Sequence, residues 1–189
     1  MAEQCSFLVA MGGNLPSSAG PPEDTLRAAL NALAEEGAVL RAVSPFYKTP
    51  CFPAGAGPDY VNAAAEISMD VDARQMLEAL HRIEVMFGRE RVQRWGRRTL
   101  DLDLIAHGQA VLPDLAGQAT WRDLPPDEQR IRAPGELILP HPRLQDRAFV
   151  LVPLADIAPG WRHPVLDLTV QDMVHALPES AVAEVVRLS

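Results

Sequence analysis

Between Thr99 and Ala106 the chain alternates. Leu100, Leu102, Leu104 and Ala106 fall on one side, and Asp101, Asp103 and Ile105 on the other. A period of two fits a strand with one buried face and one polar face, and it does not fit a helix. An i, i+2 carboxylate pair on such a strand projects side by side, about 6–7 Å apart. Two neighbouring anions repel, so the pair needs a cation or loses charge. A hard divalent ion such as Mg²⁺ meets that need, because it takes carboxylate oxygens and keeps room for substrate phosphates. The approach to the strand is basic: Arg82, Arg89, Arg91, Arg94, Arg97 and Arg98 all precede it, out of seventeen Lys and Arg in the whole chain. Arginine is the side chain suited to forked hydrogen bonding of phosphate oxygens. Taken singly, an Asp-x-Asp pair is most often a solvated strand face and an Arg run a charged surface. Together they point to metal-assisted phosphoryl chemistry on a nucleotide.

Composition narrows the partners. A formal net charge of −8 argues against a general nucleic-acid or acidic-membrane binder, so the basic cluster is a local feature of an acidic protein. At 189 residues, 48% of them apolar, one domain with a real core is expected. No apolar run approaches a membrane span, and Met1-Ala2-Glu3-Gln4 does not begin a signal peptide. Cys5 and Cys51 match no metal or redox spacing and read as free thiols of a cytoplasmic protein. A monomer is expected.

The remaining elements follow from periodicity. Ser6 to Met11 is an apolar run suited to a central strand, and Gly12-Gly13-Asn14 suits a sharp turn after it. No Walker-type Gly-Lys-Ser/Thr sequence follows, so that kind of phosphate loop is unsupported. Leu26, Ala29, Leu30 and Leu33 recur at helical spacing behind Pro21-Pro22, with Gly37 at the stop position. Residues 38–44 read as a strand, and Ser44 to Pro58 as a long functional loop rich in Pro and Gly. Tyr60 to Met69 alternates again, with Tyr60 and Asn62 on one face; without other evidence this is an exposed sheet face. Asp72 and Gln75 form a capping box ahead of the helical stripe Met76, Leu80, Ile83 and Phe87, and Gly88 ends it. The order β-α-β-β-α-β fits a ferredoxin-like α+β sandwich. Residues 112–136 read as an inserted surface excursion with room for one short helix. His141 stands rigidly between Pro140 and Pro142, and Arg147 follows. A C-terminal extension holds an apolar helix over 149–157 broken near Pro153, a last helix capped by Thr169, and a short strand from Ala181. His81, His107, His163 and His175 read as structural or exposed.

Two stretches carry a family resemblance. Arg-Trp-Gly-x-Arg-Thr-Leu-Asp-Leu-Asp at 94–103 and Leu-Pro-His-Pro-Arg-Leu-x-x-Arg-x-Phe at 139–149 resemble the two signatures of 6-hydroxymethyl-7,8-dihydropterin pyrophosphokinase, a transferase of folate biosynthesis. Shorter matches stand in family order: Met-Gly-Gly-Asn-Leu at 11–15, Phe-Tyr-Lys-Thr-Pro at 46–50, Pro-Asp-Tyr-Val-Asn-Ala at 58–63 and Arg-Ile-Glu at 82–84. The resemblance implies a single pyrophosphokinase domain over 1–189, ATP and a pterin alcohol as substrates, and two Mg²⁺. It implies that Asp101 and Asp103 bind both metals. Arg89, Arg91, Arg98, His141 and Arg147 would contact the triphosphate, with Arg89 and Arg98 also counted as catalytic. Glu84 would lie at the nucleotide end, and Trp95 would help a lid over 88–98 close on ATP. Thr49, Tyr60, Asn62 and Phe149 would form the pterin pocket. Arg97 stands where the family usually has proline, Val92 where lysine is frequent, and 112–136 is longer than in compact members.

Two other functions compete with this reading. One is a non-catalytic nucleotide- or RNA-binding module, which the Asp pair disfavours because it would repel phosphates without metal. The other is a metal-dependent phosphohydrolase, which the flat-ring pocket that the resemblance implies for Tyr60, Asn62 and Phe149 disfavours, since hydrolysis has no use for it.

Overall fold

A computed structural model describes residues 6–51, 55–88 and 98–189. In chain order the elements are β1 (Ser6–Gly13), α1 (Pro22–Glu35), β2 (Val39–Val43), β3 (Tyr47–Thr49), β4 (Tyr60–Ser68), α2 (Ala73–Met86), β5 (Asp101–His107), α3 (Leu115–Arg122), α4 (Pro126–Ile131), α5 (Ala148–Ile157), α6 (Val170–Ala176), α7 (Glu179–Ala183) and β6 (Val186–Arg187). The strands form one mixed-order antiparallel sheet, β5-β1-β4-β3-β6, with β2 pairing on the other half of the β3 side of β4.

The sheet is covered on both faces. On one, Phe7, Val9, Met11, Ala63, Ala65 and Ile67 meet the stripes of α1 and α2, joined by Leu100, Leu102 and Leu104. The three leucines are at most 3% exposed, and each such side chain contributes about 1.5–3 kcal/mol of transfer free energy. On the other face Leu8, Ala10, Ala64 and Ile105 pack under α5 and α6 through Val150, Leu151, Leu154 and Met173. The Asp72 capping box on α2 forms as expected, and so does the Thr169–Asp172 box on α6.

Several elements depart from the sequence expectation. Gly12 and Gly13 are the last residues of β1, not a turn. A β-bulge shifts the β1–β5 register between Leu8 and Val9, so Ala106 joins Ile105 on the second face instead of continuing the leucine row. Within the long Ser44–Pro58 segment lies β3, whose Tyr47, Lys48 and Thr49 pair with Asn62, Val61 and Tyr60. Residues 112–136 hold two helices, α3 and α4. Pro153 lies inside α5 and does not break it. That helix is apolar and carries buried residues along its length, so tertiary packing outweighs one missing N–H. Ala181 belongs to α7, and the terminal strand is only Val186–Arg187.

Candidate active site

Opposed residues of antiparallel strands share a face. Asp101 opposes Gly12, and Gly12 opposes Asn62. Asn62 in turn opposes Tyr47, and Tyr60 opposes Thr49. The next row runs Asp103, Ala10, Ala64. Both carboxylates, Asn62, Tyr60 and Thr49 therefore stand on the one face that α5 covers only in part. Between the Asp edge and the Asn62 strand, the residues on β1 are glycine and alanine. The result is a trough with acids on one wall and an amide with aromatics on the other.

The glycines at the end of β1 make this possible by close approach. A Cβ on Gly12 would lie 2.7 Å from Asn62 Oδ1, and one on Gly13 would lie 2.5 Å from the Thr99 carbonyl oxygen. Asn62 is 5% exposed and donates through Nδ2 to Thr49 Oγ1 at 2.7 Å. In this orientation the carboxamide directs its Oδ1 acceptor over Gly12. The Tyr60 pKa is raised, first by burial and then by Cys51, with Arg98 acting in the opposite sense. Its phenol stays neutral and keeps its O–H donor.

On the acidic wall Arg98 pairs with Asp101, and Arg147 Nη1 lies 3.8 Å from Asp103 Oδ2. Burial works against the Arg98 charge, but Asp101, through charge and hydrogen bond, and Asp103 outweigh it, so its pKa is raised. The carboxylates thus already hold cationic partners, as the repulsion argument requires. Their hard oxygens are partly open to solvent, and among the described residues no third acid, His or Cys completes a cage. A two-carboxylate donor set fits Mg²⁺, which draws its other ligands from water and phosphate.

His141 closes the wall. Its backbone N–H donates to Ile105 O at 2.8 Å, which seats it beside β5. The Arg143 N–H donates to His141 Nδ1 at 3.1 Å. Burial, then Arg147 and Arg143, push its pKa down to about 3. The neutral ring therefore carries its proton on Nε2, a donor suited to an anionic oxygen. The Arg147 guanidinium also lies 5.7 Å from the Phe149 ring centroid, and Phe149 is 40% exposed at the first turn of α5.

Of the residues expected at the site, the structure brings together Asp101, Asp103, Arg98, His141 and Arg147, and places Tyr60, Asn62 and Thr49 on the same face. Arg89, Arg91 and Trp95 lie outside the described residues. Glu84 lies beneath the Asp strand. It is 1% exposed, and its Oε1 accepts the Leu102 N–H at 2.8 Å. Through that bond its carboxylate is joined to the backbone of β5 between Asp101 and Asp103. Asn14 joins the site by contacts that sequence periodicity does not show. It is 2% exposed; its Oδ1 accepts the Arg98 N–H at 3.0 Å and its Nδ2 donates to Pro58 O at 3.1 Å. It ties the Arg98 approach to the loop that leads into Tyr60. Its sequence signals are a polar residue directly after a Gly-Gly pair and a place in the Met-Gly-Gly-Asn-Leu match at 11–15.

The geometry can be set beside known proteins. Residues 8–159 match the family model for 7,8-dihydro-6-hydroxymethylpterin-pyrophosphokinase. The chain is 35% identical over 182 residues to the 2-amino-4-hydroxy-6-hydroxymethyldihydropteridine pyrophosphokinase of Synechocystis sp., covering 95% of this chain and 80% of that one. It is 39% identical to the enzyme of the same name from Pseudomonas aeruginosa, with 82% of each chain covered. Among solved structures, the Plasmodium falciparum HPPK-DHPS with pteroate superposes with a TM-score of 0.64 at 12% identity. That match covers 91% of this chain and 44% of the other, and at such identity it speaks for the fold. With the strand face and the relatives in agreement over most of its length, this chain belongs to the 7,8-dihydro-6-hydroxymethylpterin-pyrophosphokinase family.

Proposed function

We propose that the trough holds ATP along its acidic wall and a pterin alcohol against Asn62, and that pyrophosphate passes between them. The observation that carries this reading is the single row Asp101–Gly12–Asn62 across three neighbouring strands. As a member of its family the chain is a pyrophosphokinase. In the proposed step, the pterin hydroxymethyl oxygen bonds to the β-phosphorus. The bond from that phosphorus to the α,β-bridging oxygen breaks, AMP leaves with the bridging oxygen, and the hydroxyl proton passes to solvent water. Such transfers depend on positioning and charge neutralisation more than on covalent help.

The residues divide the work. Asp101 and Asp103 would hold two Mg²⁺ ions, which neutralise triphosphate charge when bound. Arg98 and Arg147, now on the carboxylates, are within reach of phosphate oxygens once the acids have another cation. His141 offers its Nε2–H to the same oxygens. Asn62 supplies an oriented acceptor and donor for the polar edge of a flat heterocycle, and Tyr60 and Phe149 supply ring surface. Arg89, Arg91 and Trp95 are assigned to the lid side of the nucleotide on the family resemblance alone.

The same reading takes the β-α-β-β-α-β order as a ferredoxin-like core within one domain over 1–189, with 112–136 as an insertion. Among the described residues no helix is long and apolar enough to cross a membrane. The buried free thiol of Cys51 suits a reducing, cytoplasmic setting. Incubation with ATP, Mg²⁺ and 6-hydroxymethyl-7,8-dihydropterin tests the reaction. AMP and a pterin diphosphate should form in equal amounts, and chelation should stop both. Formation of ADP, or of phosphate without pterin product, would contradict it.

A further inference from the structure

Helix α3 has one buried residue, and that residue is polar: Gln118 is 0% exposed. A lone buried amide on an otherwise solvated helix is retained for its hydrogen bonds, since burial alone penalises it. Its Nε2 donates to the Pro140 carbonyl at 3.3 Å, and its Oε1 accepts from Arg122 Nη1 at 3.2 Å. Arg122 is itself held by both carboxylate oxygens of Asp123, at 2.8 and 3.0 Å. The segment contacted is unusual. Pro140 and Pro142 have no N–H, so the turn carrying His141 has few backbone groups with which to fix itself. Within the turn the Leu144 N–H donates to His141 O, the Arg143 N–H to His141 Nδ1 and Gln145 Nε2 to Pro142 O, and three bonds fasten it to the rest of the fold: the His141 N–H on Ile105 O, the mutual Leu112–Leu139 backbone pair, and Gln118 on the Pro140 carbonyl.

We propose that Gln118 is a positioning residue for the nucleotide site, holding the Pro140 carbonyl so that His141 stays aimed at the acidic wall. This gives α3 a purpose in the reaction although it touches no reacting atom. The inference rests on the reading of His141 as a triphosphate contact. Losing one neutral buried hydrogen bond that acts through His141 should weaken nucleotide binding roughly 3- to 10-fold.

The test is a cycle on the full chain with Mg²⁺ and a non-hydrolysable ATP analogue. Gln118→Leu removes both bonds. Gln118→Glu keeps an acceptor for Arg122 and, ionised, replaces the donor to Pro140 with a charged acceptor, and it serves if the leucine variant folds poorly. Each should raise Kd for the analogue and KM for ATP several-fold, with the pterin KM within about twofold of wild type. In a His141→Ala background the same substitutions should add nothing. A loss that persists undiminished without His141, or a lowered Tm with nucleotide affinity intact, overturns the inference. His141→Ala alone binding the analogue like wild type would instead remove the reading beneath it.

Discussion

Replacing Gly12 by alanine adds one methyl group at the floor of the trough, and the structure fixes what it must meet. The new Cβ would sit 2.7 Å from Asn62 Oδ1, with the next neighbours at 3.7 and 3.8 Å. The clash is with the end of a side chain, so β1 need not move; Asn62 swings. Swinging breaks the 2.7 Å bond to Thr49 Oγ1, a loss of about 1 kcal/mol in the free protein. Removing glycine from a strand interior offsets about 0.5–1 kcal/mol of that. Folding stability should therefore change little. Binding of the pterin alcohol should not escape so lightly, because a misdirected amide leaves polar ring atoms unpaired in a closed site. That costs about 1–3 kcal/mol, or about 5- to 150-fold in affinity. Calorimetric titration of the pterin alcohol with Mg²⁺ and an ATP analogue present measures this directly, with the analogue's own affinity as control. Wild-type pterin affinity in the variant, or a loss confined to the nucleotide, would refute the assignment of Asn62 and the trough.

Further outcomes follow from the same geometry. Asp101→Ala or Asp103→Ala should lower kcat at least about 100-fold, by loss of preorganised charge, while far-ultraviolet circular dichroism stays that of wild type; near-normal Mg²⁺-dependent turnover would remove the metal role. Tyr47→Phe should cost about 1–3 kcal/mol in urea unfolding, because its hydroxyl donates to Asp156 at 2.6 Å and burial with that bond raises its pKa to about 12; an unchanged midpoint would show that the β3–α5 tether is idle. His163 is fully buried, and burial followed by Arg122 lowers its pKa from 6.5 to about 4. Its neutral form is the folded one, so its contribution is complete above pH 6.5 and is lost as pH falls from 6.5 toward 4, at about 1.4 kcal/mol per pH unit. His163→Asn should flatten the pH dependence of stability in that window by about one proton, and an unaltered slope would assign the acid sensitivity elsewhere.

Local periodicity carried most of the fold into the sequence. The strand at 101–107 was legible because Leu100, Leu102 and Leu104 obey a period of two, and α2 because its capping box and apolar stripe agree. Ala106 was not, since a bulge depends on the partner strand and leaves no mark in its own. The Gly12-Gly13 pair has two physical uses, a turn or a close approach, and only the distance to Asn62 and Thr99 decides between them. Three residues of β3 among prolines and glycines are too few to show alternation. Pro153 obeys the rule for helix breaking in isolation, but a buried apolar helix overrides it. At the site, the common face of Tyr60 and Asn62 could be read from alternation within one strand. That this face is also the face of Asp101 and Asp103 depends on two registers through Gly12. Asn14 was beyond reach for the same reason: its partners, Pro58 and Arg98, are 44 and 84 residues away. Glu84 could be read as a site residue but not oriented, because whether it looked toward a ligand or toward Leu102 is decided by how α2 packs on β5.

The central claim is that one face of three strands joins a metal-bound triphosphate to a pterin ring, and a crystal of the full chain with Mn²⁺, an ATP analogue and the pterin alcohol tests it most directly. The account predicts anomalous peaks within about 2.0–2.2 Å of carboxylate oxygens of both Asp101 and Asp103, with the ring lying over Gly12 and its polar edge on Asn62. Manganese bound away from the two aspartates, or a ring seated on any other face of the sheet, would contradict it.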